Sequence, residues 1–411
     1  MPKLRFPEFL APLTPCNVPV QRSTAPSMQA ASRRILIVRT GANGDILMGT
    51  PLLTALRHAW PDAHITWMVE YRNSEVLDTN PHLDELLLWD TAYWKRMTRA
   101  GLYPLWFLRW RRMRYLLREK SYDLLISLQP EDWSFLARDI GSSVRIGVFD
   151  TFREYHGQKR TSRWSRRYTR AFSYEEHPEH RVDQYLLPLE ELGLPVPSDK
   201  RMTLGYTEED EQIARQFIER ELNDSPFVVI APVAGWPSRH WPTERYAAVA
   251  DGITKALGHR IVLVAGGGEK DRSVVREVAD QMHTHPVLAA GTFGFRGLAA
   301  LIARAAITVS GDTGPMHVAA AVGVPYVALF GPTPPARFAP RGGGGLAMLH
   351  PVECSPCHRR VCPLTGNAYQ QCLRGLTQEA VLAAVLQQLH PGDAAMSSSV
   401  ARETSRDPAG L

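Results

Sequence analysis

Between Ser310 and His317 the chain reads SGDTGPMH, which places a carboxylate (Asp312), a hydroxyl (Thr313), a glycine (Gly314) and an imidazole (His317) within one short stretch. A carboxylate accepts hydrogen bonds from sugar hydroxyls, which an apolar side chain cannot do. Thr313 and Gly314 offer a hydroxyl and backbone N–H groups to an anion such as a diphosphate, and glycine permits its close approach. His317, one helical turn further on, can donate to a phosphate oxygen. An isolated Asp in such a place more often caps a helix than binds a ligand. The preceding run AAITV reads as a buried strand and the following VAAAVGVP as a helix poor in bulky side chains. The motif is therefore a strand-to-helix turn, and in open parallel sheets such turns lie at the carboxyl ends of strands, where ligands bind. A second acidic turn, GANGD from Gly41 to Asp45 and including Gly44, follows the apolar run RILIV. It lacks the GxGxxG spacing, which argues against a dinucleotide there and against an NAD-dependent dehydrogenase.

The elements that must position these turns alternate strand and helix. Strands are predicted at Arg34–Val38, His64–Val69, Asp123–Leu128 and Val144–Val148, with a helix over Ile46–Ala59 and a mostly helical basic region between the second and third strands. A helix with Val182, Tyr185, Leu186, Leu189 and Leu192 on one face closes the first half, and the Pro-rich LGLPVPSDKRMTLGY reads as a linker. The second half repeats the plan, with strands at Phe227–Ala231, Ile261–Ala265, His285–Ala289, Ala305–Val309 and Tyr326–Phe330. Such alternation predicts an α/β chain of two Rossmann-like domains with a cleft between them. The expected bounds are an N-terminal extension over 1–31, a first domain over 32–200, a second over 201–391 and a polar tail over 392–411.

At 411 residues, with 44% hydrophobic and 22% charged residues, the chain can build two cores of ordinary size. No apolar run approaches the length of a bilayer span, and the N-terminus lacks the apolar core of a secretory signal, so a cytoplasmic location is expected. The net charge of +5 is unevenly spread: from Lys95 to Lys120 nine Lys or Arg face one acid, interleaved with aromatic residues. A second basic run, QKRTSRWSRRYTR, carries Arg163, Arg166, Arg167 and Arg170. Each run reads either as a solvated face or as a surface for anionic lipid or a phosphorylated acceptor. No helix-turn-helix, zinc-finger or RNP-like pattern accompanies the charge, so nucleic acid is not an expected partner. Four of the five cysteines fall in the segment from Cys354 through Cys357 and Cys362 to Cys372. In a cytosolic chain that clustering points to a structural Zn or Fe site or to free, partly buried thiols.

Taken together, SGDTGPMHVAAAVGVPYVALFGPTPPARFAP, ILIVRTGANGDILMGTPLLTALRHAWPDAHITWMVE, EHRVDQYLLPLEELG and SRHWPTERYAAVA resemble glycosyltransferase family 9, the lipopolysaccharide heptosyltransferases. The segment CSPCHRRVCPLTGNAYQQCLRGLTQEAV is similar to the heptosyltransferase II type. The resemblance implies a GT-B fold, with a lipid-linked acceptor held mainly by the first domain and ADP-heptose mainly by the second. It implies that Asp45 is the general base of an inverting transfer and that Arg239, in GWPSRHWP, meets the diphosphate, with Arg337 a second candidate. Glu269 and Asp271, in GGGEKD, are then expected at the ribose, and Arg163, Arg166, Arg167 and Arg170 near the anionic acceptor. No metal is required for catalysis, and the enzyme is expected to be peripheral at the inner face of the inner membrane. Another nucleotide sugar, another acceptor, or a nucleotide-binding protein without catalysis are the competing expectations.

Overall fold

In the computed structural model, residues 33–129, 136–149, 165–173, 177 and 179–389 are described. The chain divides into two compact units, Met1–Gly205 and Tyr206–Leu411. Each is built on a six-stranded sheet in which every pairing is parallel.

The first unit runs β1 (Arg34–Val38), α1 (Asn43–Met48), α2 (Thr50–Ala59), β2 (His64–Glu70), β3 (Glu85–Trp89), α3 (Thr91–Arg99), α4 (Tyr103–Glu119), β4 (Leu124–Ser127), β5 (Val144–Phe149), β6 (Arg170–Ser173) and a helix over Arg181–Glu191. Its strand order is β3-β2-β1-β4-β5-β6. The β-branched run Arg34–Val38 sits centrally because its apolar side chains are fully enclosed on both faces, as a doubly covered parallel strand requires. On one face Leu36, Val38 and Leu125 meet Met113 and Leu117 of α4 and Trp94 of α3.

The second unit continues with a helix over Glu208–Leu222, β7 (Phe227–Ala231), a helix over Thr243–Leu257, β8 (Arg260–Leu263), a helix over Glu269–Gln281, β9 (Val287–Leu288), a helix over Phe295–Ile302, β10 (Ile307–Gly311), a helix over Gly314–Ala321, β11 (Tyr326–Phe330), β12 (Gly345–Leu349) and a final helix over Gln378–Leu389. Its order is β12-β11-β10-β7-β8-β9, which read from the other edge repeats the topology of the first sheet. Val228, Ile230, Ile307, Val309, Val327 and Leu329 supply the sheet side of its core. In both sheets the order reverses beside the unit's first strand, between β1 and β4 and between β7 and β10. Ligands bind outside the carboxyl ends of strands at such switch points.

Three strands, β3, β6 and β12, were not expected from the sequence, and β9 is shorter than expected. The helix expected over Ile46–Ala59 is two helices, α1 and α2. A Cβ at Gly49, between them, would lie 2.8 Å from the Trp67 ring, and Pro51 starts the new helix. Thr50 Oγ1 donates to the Leu47 carbonyl at 2.8 Å and accepts from the Thr203 N–H at 2.9 Å, which ties the break to the end of the unit.

Glu85 of β3 is buried among His64 and Thr66 of β2 and Lys120 at the end of α4. Burial pushes its pKa up, but the hydrogen bonds from His64 and Lys120 and the Lys120 charge prevail and hold it down at about 2, against an ordinary 4.5. A depressed carboxylate stabilises the fold fully above its unfolded pKa and loses that contribution as pH falls through the window from about 4.5 to about 2. Urea midpoints of wild type and Glu85→Gln should therefore differ at neutral pH, wild type being the more stable, and converge as pH is lowered through that window.

Candidate functional site

The turn after β10 carries Asp312, which is 6% exposed. Its Oδ2 accepts a hydrogen bond from the Thr333 hydroxyl and lies 3.1 Å from Nε of Arg239. Arg239 Nη1 also donates to the Asp312 carbonyl at 3.4 Å. Arg239 stands in the one-turn 3-10 helix Pro237–Arg239 in the connection after β7, the strand next to β10. The switch point therefore brings together two residues that lie far apart in sequence. The guanidinium is stacked on the Trp236 ring, 3.9 Å from its centroid, and Arg360 approaches the same ring at 5.6 Å, a geometry favourable for a cation over an indole face.

Thr313 is the N-cap residue of the helix Gly314–Ala321 and makes no side-chain cap bond, while Pro315 sits in the first turn. Thr313 and Gly314 are half-buried, and His317 is buried one turn in. The backbone N–H groups of this first turn form the positive end of the helix. Glu269 and Asp271 open the helix Glu269–Gln281. Glu269 is mostly exposed and ion-paired to Arg276, whereas the Asp271 carboxylate folds back against Gly266, where a Cβ would collide with it. Arg337 lies half-buried in the single-turn helix Pro335–Phe338.

In the first unit, Asp45 lies in the first turn of α1, immediately after half-buried Gly44. Its Oδ2 is 2.5 Å from Nη2 of Arg39, and its Oδ1 accepts from the Tyr185 hydroxyl at 3.5 Å. Arg39 is braced by a bond from its Nη1 to the Leu128 carbonyl at 3.2 Å, so both central strands fix the pair. Asp45 does not cap the helix; the N-cap is Ala42. Of the four arginines expected at the acceptor, Arg166 and Arg167 lie in the 3-10 turn Ser165–Arg167. Arg170 begins β6, stacks on Phe172 and pairs with Glu191 at 3.4 Å. Arg163 falls outside the described residues.

Cys354, Cys357, Cys362 and Cys372 line one cavity of ≈ 310 Å³ with Ser238, Pro332 and Gln370. All four are free thiols, Cys354 exposed and Cys372 buried. Burial, and then the neighbouring Cys357, Cys354 and Cys362, push the Cys372 thiol up to about 11. Among the described residues no group of three or more His, Cys, Asp or Glu is arranged to hold a metal ion. Cys372 is turned toward Gly331, and Cys362 Sγ accepts from the Gln370 N–H at 3.4 Å. What the segment does is brace the Arg239 turn. Ser238 donates to the carbonyls of Arg359 (Oγ, 2.6 Å) and Arg360 (N, 3.1 Å), and Gln370 Nε2 donates to Pro237 at 2.7 Å.

A profile of glycosyltransferase family 9 (heptosyltransferase) matches residues 110–367. The chain belongs to glycosyltransferase family 9. It is 28% identical over 294 residues to lipopolysaccharide heptosyltransferase 3 of Escherichia coli, covering 71% of this chain and 81% of that one. Among solved structures it is similar to the family 9 glycosyl transferase of Veillonella parvula, with 27% identity, a TM-score of 0.69 and coverage of 88% and 98%. It has the fold of the E. coli heptosyltransferase WaaC with ADP, with 23% identity, a TM-score of 0.62 and coverage of 86% and 99%. The family 9 chain is therefore a glycosyltransferase of the two-domain GT-B class. Thr333, Trp236, Arg39 and Tyr185 were not singled out from its sequence. Thr333 had the strongest signal, a lone hydroxyl in the turn GPTPP inside the quoted signature.

Asp312 is buried, so removing its cation alone should leave an uncompensated charge. Arg239→Met is expected to destabilise the second unit by about 3–5 kcal/mol, read as a lowered denaturation midpoint. Adding Asp312→Asn should recover most of that loss without restoring nucleotide-sugar turnover, which separates the structural role of the pair from its chemical one.

Proposed function

We propose that the chain transfers heptose from ADP-heptose to the inner core of a lipopolysaccharide acceptor, with inversion at the anomeric carbon. The observation that carries the reading is that each unit holds a carboxylate beside an arginine at its own switch point: the partly accessible Asp45 with Arg39 in the first, and the Arg239–Asp312–Thr333 cluster in the second. The first unit supplies the base and the acceptor site; the second binds the donor.

Asp45 is 27% exposed at its side chain and paired with Arg39, so the carboxylate that would serve as base is both held in place and open to an acceptor hydroxyl. As the acceptor oxygen bonds to the anomeric carbon its proton becomes acidic, and the carboxylate takes it from the face opposite the leaving group. Departure of ADP places negative charge on the diphosphate, which Arg239 and the N–H groups at the start of the helix Gly314–Ala321 stabilise. His317 donates to a phosphate oxygen and Thr313 to its neighbour. Asp312 holds Arg239 in place and retains lone pairs for heptose hydroxyls, since a carboxylate accepts several hydrogen bonds. Glu269 and Asp271 contact the ribose, and Arg166, Arg167 and Arg170 lie near the phosphate and carboxylate groups of the acceptor. Among the described residues no helix is long and apolar enough to cross a membrane. Contact with the anionic inner face of the inner membrane is read as peripheral.

The test is mass spectrometry of heptose-deficient lipopolysaccharide acceptors incubated with ADP-heptose. Wild type should add one heptose to one acceptor class, and which one distinguishes the first, second or third core heptose. Asp45→Asn should lower turnover by roughly 10²–10⁴-fold while binding ADP normally by calorimetry. ADP-heptose binding without transfer to any acceptor would overturn the acceptor; no binding would overturn the donor.

A further inference from the structure

We propose that the outward face of α4 docks the first unit onto an anionic lipid surface, a step that rests on the reading of a lipid-linked acceptor. One face of α4 is committed to the core through Met113 and Leu117, and Trp106 and Trp110 stack on each other and meet Trp94 edge-on. The opposite face is left in water. Tyr103 is 63% exposed, Leu108 63%, Phe107 53% and Leu105 42%. Residues 103, 107 and 111 stand one turn apart, as do 105, 108 and 112, so they form two adjoining outward stripes.

Along these stripes the first two turns are apolar and aromatic, the next presents Arg111 and Arg112, both exposed, and exposed Tyr115 and Glu119 follow at the end of the helix. Arg111 lies over the Phe107 ring at 5.8 Å. The other cations of α4 and its C-cap are already engaged: Arg114 and Arg118 with Asp139, Lys120 with Glu85, and Arg109 with the Tyr93 hydroxyl. Among the described residues Arg111 and Arg112 take part in no ion pair. A helix whose exposed face is apolar over its first two turns and cationic over the next matches the boundary of an anionic bilayer. Its rings and leucines reach the acyl region while guanidinium groups stay at headgroup phosphates.

The experiment is sedimentation of the full chain with vesicles of phosphatidylethanolamine and phosphatidylglycerol, against vesicles of phosphatidylcholine alone. The expected result is binding at least about tenfold tighter to the anionic vesicles and weakening with salt. The pair Phe107→Ser and Leu108→Ser should lose about tenfold or more, and Arg111→Ser with Arg112→Ser should abolish the preference for anionic lipid. Circular dichroism and ADP binding should be unchanged in both, and transfer to a delipidated, water-soluble core oligosaccharide should stay within about twofold of wild type. Vesicle binding that is absent in wild type, or that the four substitutions leave intact, overturns the proposal. So does a change of oligomeric state on ultracentrifugation without a change in vesicle binding, which would assign the face to a second copy of the chain. Failure of wild type to glycosylate any acceptor overturns the function proposed above but leaves the vesicle result to be judged independently.

Discussion

A carboxylate enclosed at the end of a parallel strand is tolerated only if its charge is met at short range by partners the fold itself brings there. Asp312 has two: a guanidinium delivered by the connection after the neighbouring strand and a hydroxyl delivered by the turn after β11. Much of the second unit serves that meeting. The parallel pairing of β7 with β10 and of β10 with β11 brings the three strand ends side by side. The Trp236 ring underlies the arginine, and the cysteine-rich segment fixes the backbone of the Arg239 turn through Ser238 and Gln370. The four clustered thiols line a cavity together with Ser238 and Gln370, beside the turn that carries the arginine.

The first unit repeats the topology but uses its switch point differently. Asp45 also faces an arginine, yet that arginine comes from the same connection, and the carboxylate is about four times as exposed as Asp312, 27% against 7% at the side chain. The difference suits the two tasks proposed for these carboxylates. A base must take a proton and then release it to water, which needs access. A charge proposed to organise a donor site must be held still, and fixed partners at short range achieve that. The same strand order thus supports two environments for a carboxylate, and the contrast lies in the side chains of the turns.

The architecture was legible where hydrophobic pattern is strongest. Central strands, enclosed on both faces, read as short continuous apolar runs, and β1, β2, β4, β7, β10 and β11 all lie within or beside their expected spans. What the pattern hid was the sheet edges. The three unexpected strands, β3, β6 and β12, and the shortened β9 are the four edge strands. An edge strand has one paired neighbour and partial cover; β12, for instance, is half-buried or exposed throughout. Its identity is set by the partner's free hydrogen-bonding groups rather than by its own side chains.

The site divides along a similar line. Asp45, Asp312, Thr313 and His317 were visible because acid, hydroxyl, imidazole and glycine concentrated after apolar strands are a local signal, and the sequence by itself determined that such turns exist and carry these groups; Arg239 was reached only through the family resemblance. It could not show that Arg239 would grip Asp312, 73 positions away, or that Thr333 and Tyr185 would each donate to a carboxylate. Those outcomes depend on which strand ends become neighbours and on which side chains share a low-dielectric space. Both are properties of packing at long sequence separation, and only the tertiary structure decided them.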